Sequence, residues 1–175
     1  YIIKHNLINI IFTTFCVLIL INGCNFIDGA NNLLINYFLI ISLCLLFLPE
    51  GTTMIFNKTY LNIIISLLIV LLIFNFFSIV IMGDSGSYVL GLFFGYVLIN
   101  LSNQNLSISP IYIVNLLWYP AFENLFSILR KLRKNISVSR ADNSHLHHLI
   151  YLKINSLLPS SMFNNSITGL LINLF

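Results

Sequence analysis

Charged side chains are scarce in this sequence: 8 basic and 5 acidic residues make up only 7% of the 175-residue chain. A soluble domain carries roughly 25% charged residues, so the composition excludes an ordinary soluble fold. Apolar residues account for 58% of the chain and form continuous runs instead of alternating patterns. Continuous apolar runs favour membrane helices over the strands of a barrel. The sequence therefore predicts an all-α polytopic membrane protein.

Cysteine is also scarce, and its spacing carries little chemistry. Cys16, Cys24 and Cys44 form no CxxC pair, and two of them lie within apolar runs. Such cysteines are typical of small apolar packing residues. A disulfide framework and a cysteine-based zinc site are excluded.

Six transmembrane helices are predicted, at about 6–22, 33–49, 59–81, 86–102, 108–129 and 156–174. The loop at about 130–140 holds most of the basic residues, and the positive-inside rule therefore places it in the cytoplasm. Counting helices back from this loop puts the turn at about 82–87 and the loop at about 22–32 on the same face. Three polar loops thus gather on the cytoplasmic side, where we expect the function to lie.

The turn before the fourth segment places Asp84 between two long apolar runs, next to Gly83 and Gly86. A carboxylate at the edge of a membrane is costly and is a functional candidate by default. Glycines let the backbone approach a ligand, and the neighbouring serines are suited to cap the next helix. A metal that holds a phosphorylated substrate needs such a hard oxygen ligand. The alternative is an ordinary turn, because Gly, Asp and Ser are common turn residues.

The first cytoplasmic loop contains Asn22, Asn25 and Asp28 at a spacing of three residues. On a helix this spacing brings the three side chains to one face. Two amides and a carboxylate on that face are suited to form hydrogen bonds with a base, a ribose or a metal-bound water. A plain helix C-terminus is the alternative, since Asn and Gly commonly end helices.

The third loop contains His145, His147 and His148, preceded by Arg140 and Asp142. Neutral imidazoles bind transition metals, whereas protonated ones beside arginine bind phosphate. The alternative is an amphipathic loop at the lipid surface. The basic residues from Arg130 onward act as a topology signal and as a source of positive potential. Glu123, inside the preceding helix, is left open between pairing with Arg130 and serving a site.

These loops together resemble the polyprenyl-phosphate N-acetylhexosamine-1-phosphate transferases of glycosyltransferase family 4. Residues 22–29 are similar to the family's NxxNxxDG loop, and residues 82–87 to its MGDxGS segment. Residues 145–148 are similar to the HxHH loop of the bacterial sugar-polymer branch. Three such motifs in the same order, on one predicted face of the membrane, make the resemblance highly specific.

The resemblance implies a 2.7.8-type reaction, in which an N-acetylhexosamine 1-phosphate passes from a UDP-sugar to undecaprenyl phosphate and UMP is released. This is the first membrane step of cell wall or lipopolysaccharide biosynthesis. The resemblance implies Mg²⁺ or Mn²⁺ as cofactor, with Asp84 as its ligand. It assigns catalytic roles to Asp84, Asp28, His145, His147 and His148, and substrate binding to Asn22, Asn25, Gly83, Arg130, Arg140 and Asp142.

The match covers only the C-terminal half of the family's fold, whose members have ten or eleven membrane helices. Their Asp-Asp pair and a lysine lie in the N-terminal half, and no Asp-Asp pair occurs here. We therefore expect residues 1–175 to form one membrane domain, the C-terminal fragment of such a transferase, and its activity without the other half is left open.

The expected location is a bacterial inner (plasma) membrane, with several passes and a cytoplasmic active face. The lipid bilayer is an expected partner, nucleic acid is not, and a homodimer is left open. Two alternatives remain: a membrane metalloenzyme built on the histidine cluster, and a non-enzymatic membrane subunit or transporter. Metal-dependent release of UMP distinguishes the transferase from both.

Overall fold

The computed structural model describes residues 6–49, 57–105, 107–135, 145–159, 161 and 163–174. Within these ranges the chain is all helical, as the composition predicts. The helices are α1 (Asn6–Ile27), α2 (Leu33–Leu46), α3 (Lys58–Phe76), α4 (Gly83–Gln104), α5 (Pro110–Arg133), α6 (Leu146–Leu157) and α7 (Asn164–Ile172).

Three helices in the described part of the chain are long and apolar enough to cross a membrane: α1 from Leu7, α3 and α4. The protein is therefore a membrane protein, with three candidate spans where six were expected. The apolar α2 has 14 residues and is shorter than a typical span. α5 has 24 residues, but it is more polar because it carries Glu123 and ends in a basic turn.

The helices pack in two connected groups. α1 lies against both α4 and α5, whereas α2 lies against α3 and α7. Phe38 of α2 and Phe94 of α4 are both fully buried and stack with ring centroids 4.3 Å apart. This aromatic pair joins the two groups through the centre of the core.

Pro120 lies inside α5 and removes one backbone hydrogen bond, because proline has no N–H. The carbonyl this leaves free, that of Leu116, accepts a hydrogen bond from the Tyr37 hydroxyl of α2. One turn further on, the Asn124 amide donates to the Ile19 carbonyl of α1 at 3.0 Å. These contacts hold α5 between α1 and α2 and fix the direction of its second half.

At Gly23 the backbone of α1 lies directly against the backbone of α5. A methyl group at this position would lie 2.0 Å from the Pro120 carbonyl oxygen, which belongs to the backbone and cannot swing away. We expect Gly23→Ala to destabilise the protein by about 2 kcal/mol, within the range for overpacked cores. The matched control is Gly95→Ala, whose new methyl would lie 3.1 Å from the tip of the Leu20 side chain. Thermal unfolding in detergent should show a lower midpoint for Gly23→Ala alone, and equal midpoints would contradict this packing.

The prediction of one continuous membrane segment at 156–174 is wrong. α6 ends at Leu157, and α7 begins only at Asn164. Pro159 disfavours helical backbone at the preceding Leu158, which is extended (φ −114°, ψ 152°). The Asn164 amide then stabilises the turn by donating to the Asn155 side chain and to the Pro159 carbonyl.

Three further boundaries differ from the predicted loops. α1 runs to Ile27, so Asn22 and Asn25 lie on its last turns and not in a loop. α4 begins at Gly83, so Asp84 and Ser85 lie in its first turn, and no serine side chain caps it. The Ser87 hydroxyl donates instead to the Asp84 carbonyl inside the helix. His147 and His148 lie in the first turn of α6 and not in a loop. The predicted loops are therefore shorter, and candidate site side chains predicted in them are held on helix ends.

Candidate functional site

The carboxylates of the first two motifs lie side by side where α1 ends and α4 begins. The Asn25 side chain donates from Nδ2 to Asp84 Oδ1 at 2.9 Å. The Asp28 carboxylate accepts a hydrogen bond from the Gly83 backbone N–H. Gly83 has φ of +62°, a conformation that glycine adopts without cost. The two motifs, 59 residues apart at Asn25 and Asp84, thus form one acidic site.

Asp28 and Asp84 differ in their surroundings. Asp84 is exposed, whereas Asp28 is half-buried just beyond the end of α1. Burial is the main cause that raises the pKa of Asp28 to about 7; the charge of Asp84 adds to this, and the Gly83 hydrogen bond opposes it. Two neighbouring carboxylates that repel each other are suited to bind a cation, because its positive charge favours their ionised forms.

An amide network joins the turn after α1, the acidic turn that carries Asp28, to the segment that leads into α4 and Asp84. Asn75, near the end of α3, accepts from the Asn32 backbone N–H and donates to the Val80 carbonyl at 2.7 Å. Beside it, the Asn31 amide donates to the Ser78 hydroxyl at 2.7 Å. Asn75 is 4% exposed, so its hydrogen bond with the Asn32 N–H is shielded from water, whereas the contact between Asn31 and Ser78 is exposed. The turn carrying Asp28 is therefore fixed relative to the chain that leads into α4.

The histidine segment is attached to α5 by Glu123. Its Oε2 lies 2.9 Å from His145 Nδ1, and its Oε1 accepts from the Leu146 backbone N–H at 3.1 Å. The second contact places a carboxylate at the N-terminus of α6, where the helix dipole favours negative charge. Both oxygens of this buried side chain are therefore used in fixing the start of α6.

His147 is the residue of the third motif that contacts the acidic turn. Its ring lies over Gly29, where a methyl group would come within 2.3 Å of Nε2. The three rings pack together, with His147 stacked on His145 at 5.6 Å and 4.3 Å from His148. His147 is 2% exposed, and neither ring nitrogen has a hydrogen-bond partner among the described residues. Burial and the charges of the two neighbouring histidines lower its pKa to about 4, so the ring is neutral at neutral pH.

Five predicted site residues thus come together: Asn25, Asp28, Gly83, Asp84 and His147. His145 is mainly buried against Phe26 and Glu123, and His148 packs on the other two rings.

Two other predicted site residues, Asn22 and Arg130, have different contacts in the described part of the chain. Asn22 is exposed, and its amide donates to Leu18 of its own helix, so the expected face of three side chains is reduced to Asn25 and Asp28. Arg130 lies in the last turn of α5, with its guanidinium 5.5 Å from the Phe126 ring centre. Arg140 and Asp142 lie outside the described residues.

Two residues that organise the site were not assigned this role from the sequence. Asn75 gave no signal, because asparagine is abundant throughout the chain and its partners are backbone groups. Glu123 was noticed, but its role was left open. A carboxylate inside an apolar helix, one turn after a proline, was the available signal, and only the packing of α5 identifies its partner.

The fold and the site define a helical membrane protein whose acidic and imidazole side chains meet at the ends of its helices. The family model described as Glycosyl transferase family 4 matches residues 2–102, more than half of the chain. The chain belongs to this family. Its members are phospho-sugar transferases that act on UDP-sugars and polyprenyl phosphate and typically use Mg²⁺. Comparison with curated proteins and with solved structures found no match.

The donor set fits the cation that the family uses. Among the described residues there is no group of three or more His, Cys, Asp or Glu side chains arranged around a metal position. Mg²⁺ does not need one, because it is commonly held by one or two carboxylates together with substrate phosphates and water. Asp84, exposed and beside Asp28, offers the hard oxygen ligands of that kind.

Proposed function

We propose that this protein transfers an N-acetylhexosamine 1-phosphate from a UDP-sugar to undecaprenyl phosphate and releases UMP. The reaction would begin the synthesis of a bacterial cell-envelope polysaccharide at the cytoplasmic face of the plasma membrane. The observation that carries the proposal is the meeting of three distant motifs. Asn25 is bonded to Asp84, Asp28 to Gly83, and His147 lies on Gly29.

The chemistry requires a phosphate oxygen of the lipid to attack the sugar-bearing phosphorus of the UDP-sugar. The bond from that phosphorus to the bridging oxygen breaks, and the bridging oxygen leaves with UMP. Such phosphoryl transfer depends mostly on positioning and on neutralising charge. Bound Mg²⁺ supplies positive charge for the phosphate oxygens.

In this proposal Asp84 is the metal ligand, and Asp28 with Asn25 lines the nucleotide or metal side of the cleft. Asn25 also orients Asp84, because its amide donates to that carboxylate. The neutral His147 ring keeps two unused nitrogens for hydrogen bonds to the substrate. His148, half-buried beside it, adds a further imidazole, and we propose that Arg130 and Arg140 add positive charge for phosphates.

An apolar cavity further along α1 and α4 from the site gives the lipid acceptor a place. It lies between α1, α4 and α5, has a volume of about 310 Å³, and is lined by apolar residues that include Val17, Leu20, Gly95, Ile113 and Ala121. An isoprenoid chain is suited to such a surface, because it makes no hydrogen bonds. The basic last turn of α5 favours a cytoplasmic position for that end of the helix. We propose that α2 and α5 also lie within the bilayer.

The direct test uses membranes from cells that express the complete gene. Radiolabelled UDP-GlcNAc and undecaprenyl phosphate are supplied with and without Mg²⁺, and label in the lipid phase and released UMP are followed. Mg²⁺-dependent transfer would establish both the reaction and the sugar. Transfer only from another UDP-N-acetylhexosamine would keep the reaction and change the sugar. No transfer from any UDP-sugar, with inserted and intact protein, would overturn the proposal.

No observation in the described residues favours the alternative of a metalloenzyme built on the histidine cluster. His145 uses Nδ1 in its contact with Glu123. Among the described residues, the three rings and Glu123 do not form a group that could hold a metal ion.

A further inference from the structure

Glu123 occupies an unusual position for a carboxylate, since it lies one turn after Pro120 in an otherwise apolar part of α5. Its side chain is 6% exposed, so leaving either oxygen without a donor would be costly. The position is set by packing: Gly23 lets α1 approach Pro120, and Asn124 is bonded to Ile19 of the same helix. α5 therefore presents Glu123 to the start of α6 as part of a rigid interface.

The contact between Glu123 and His145 determines where the imidazole proton lies. An ionised carboxylate can only accept, so the proton of the shared hydrogen bond belongs to Nδ1 of His145. In the neutral ring Nε2 is then an acceptor. The neighbouring Leu146 N–H also donates to Glu123, which prevents the ring from moving away independently of α6.

His145 packs directly against His147, the residue that contacts the acidic turn at Gly29. His145 is held between the Phe26 ring, 5.1 Å away, and the His147 ring, which is nearly parallel to it at an interplanar angle of 8°. His147 in turn lies against Gly29, next to Asp28. Glu123 thus stands at one end of a continuous set of contacts that leads to the acidic site.

We propose that Glu123 is a positioning residue: it holds His145 in the Nδ1-protonated form and thereby keeps His147 over Gly29. This inference rests on the proposed transferase function for its effect on catalysis, but its effect on the imidazole does not. Glu123 acts through the histidines and is not itself proposed to contact substrate. Partners that orient histidine ligands in other sites typically contribute 10- to 100-fold to affinity or activity.

The test compares Glu123→Leu with Asn124→Leu in the complete protein. Both positions are buried on α5 and bonded to another segment, but only Glu123 contacts a histidine. Nitrogen-15 NMR of histidine-labelled protein reports which ring nitrogen carries the proton, and the His145 signals are assigned with His145→Gln. We expect Glu123→Leu to move the His145 proton toward Nε2, whereas Asn124→Leu should leave it on Nδ1.

Activity gives the second readout. We expect Glu123→Leu to lower kcat by roughly 10- to 100-fold, and Glu123→Asp, which keeps the carboxylate, to recover part of this loss. If Glu123→Leu does not fold, Glu123→Asp still tests the idea, because a shorter carboxylate should weaken the Nδ1 hydrogen bond and shift its proton resonance. An unchanged His145 tautomer in Glu123→Leu would overturn the inference, even in an active enzyme. A shifted tautomer in a protein that transfers no sugar phosphate would instead overturn the proposed function and leave the positioning role intact.

Discussion

Replacing Asp84 with asparagine should abolish sugar phosphate transfer, with a fall in kcat of about 10²- to 10³-fold or more, as for the loss of a group that stabilises developing charge. Asparagine keeps the shape, and its Oδ1 can still accept the hydrogen bond from Asn25. Asp84 is exposed, so the change leaves no buried group without a partner. What is lost is the negative charge on which a divalent cation depends.

The structure also predicts what Asp84→Asn leaves unchanged. A charge in the first turn of α4 contributes about 0.3–1 kcal/mol through the helix dipole, so folding and membrane insertion should be nearly normal. Asn100→Ala is the matched control, because that side chain lies on the same helix and donates only to Tyr96 one turn before it. Transfer should be measured over a range of Mg²⁺ concentrations with equal amounts of inserted protein. Turnover close to wild type in Asp84→Asn would rule out the metal role.

Gly29→Ala should cause the second large loss, through a different mechanism. Its new methyl would lie 2.3 Å from His147 Nε2, so the ring has to move away from the acidic turn. A displacement of about 1 Å at a reacting site can cost 10²-fold, and we expect kcat/KM to fall by about 10- to 100-fold. The loss should appear in steady-state transfer kinetics with the UDP-sugar as the varied substrate.

A double-mutant cycle separates this mechanism from general damage. If Gly29→Ala acts by displacing His147, then His147→Ala should cause a similar loss, and the double variant should be no worse than His147→Ala alone. The methyl group then occupies space that the ring has vacated. Additive losses in the double variant would mean that Gly29 matters for another reason, such as the backbone conformation of its turn.

The sequence by itself determined the class of protein and indicated most residues of the candidate site. Scarce charge and long apolar runs require helices in a membrane, because lipid offers no partner for unpaired backbone groups. The motifs around Asp28, Asp84 and His147 are defined by residue types at short spacings, so they can be recognised without coordinates. The family match over residues 2–102 confirms the family resemblance and covers the motifs around Asp28 and Asp84, whereas the histidine motif lies outside the matched range.

Helix boundaries were less predictable where one residue outweighs the general pattern. The apolar composition of 156–174 suggests a single span, yet Pro159 and the hydrogen bonds of Asn164 divide it. Likewise, serines before an apolar run are typical caps, but the helix begins earlier, at Gly83. In each case a local backbone constraint decided the boundary that hydropathy alone could not place.

Only the tertiary structure decided how the motifs are held. Asn75 bridges two turns through backbone groups, and such contacts leave no pattern in a sequence rich in asparagine. Glu123 and His145 are 22 residues apart, and the approach of Gly23 to Pro120 is what orients α5 so that they meet. Residue types determine which chemistry is available. Long-range packing determines which of those residues touch, because hydrogen bonds act only over about 3 Å.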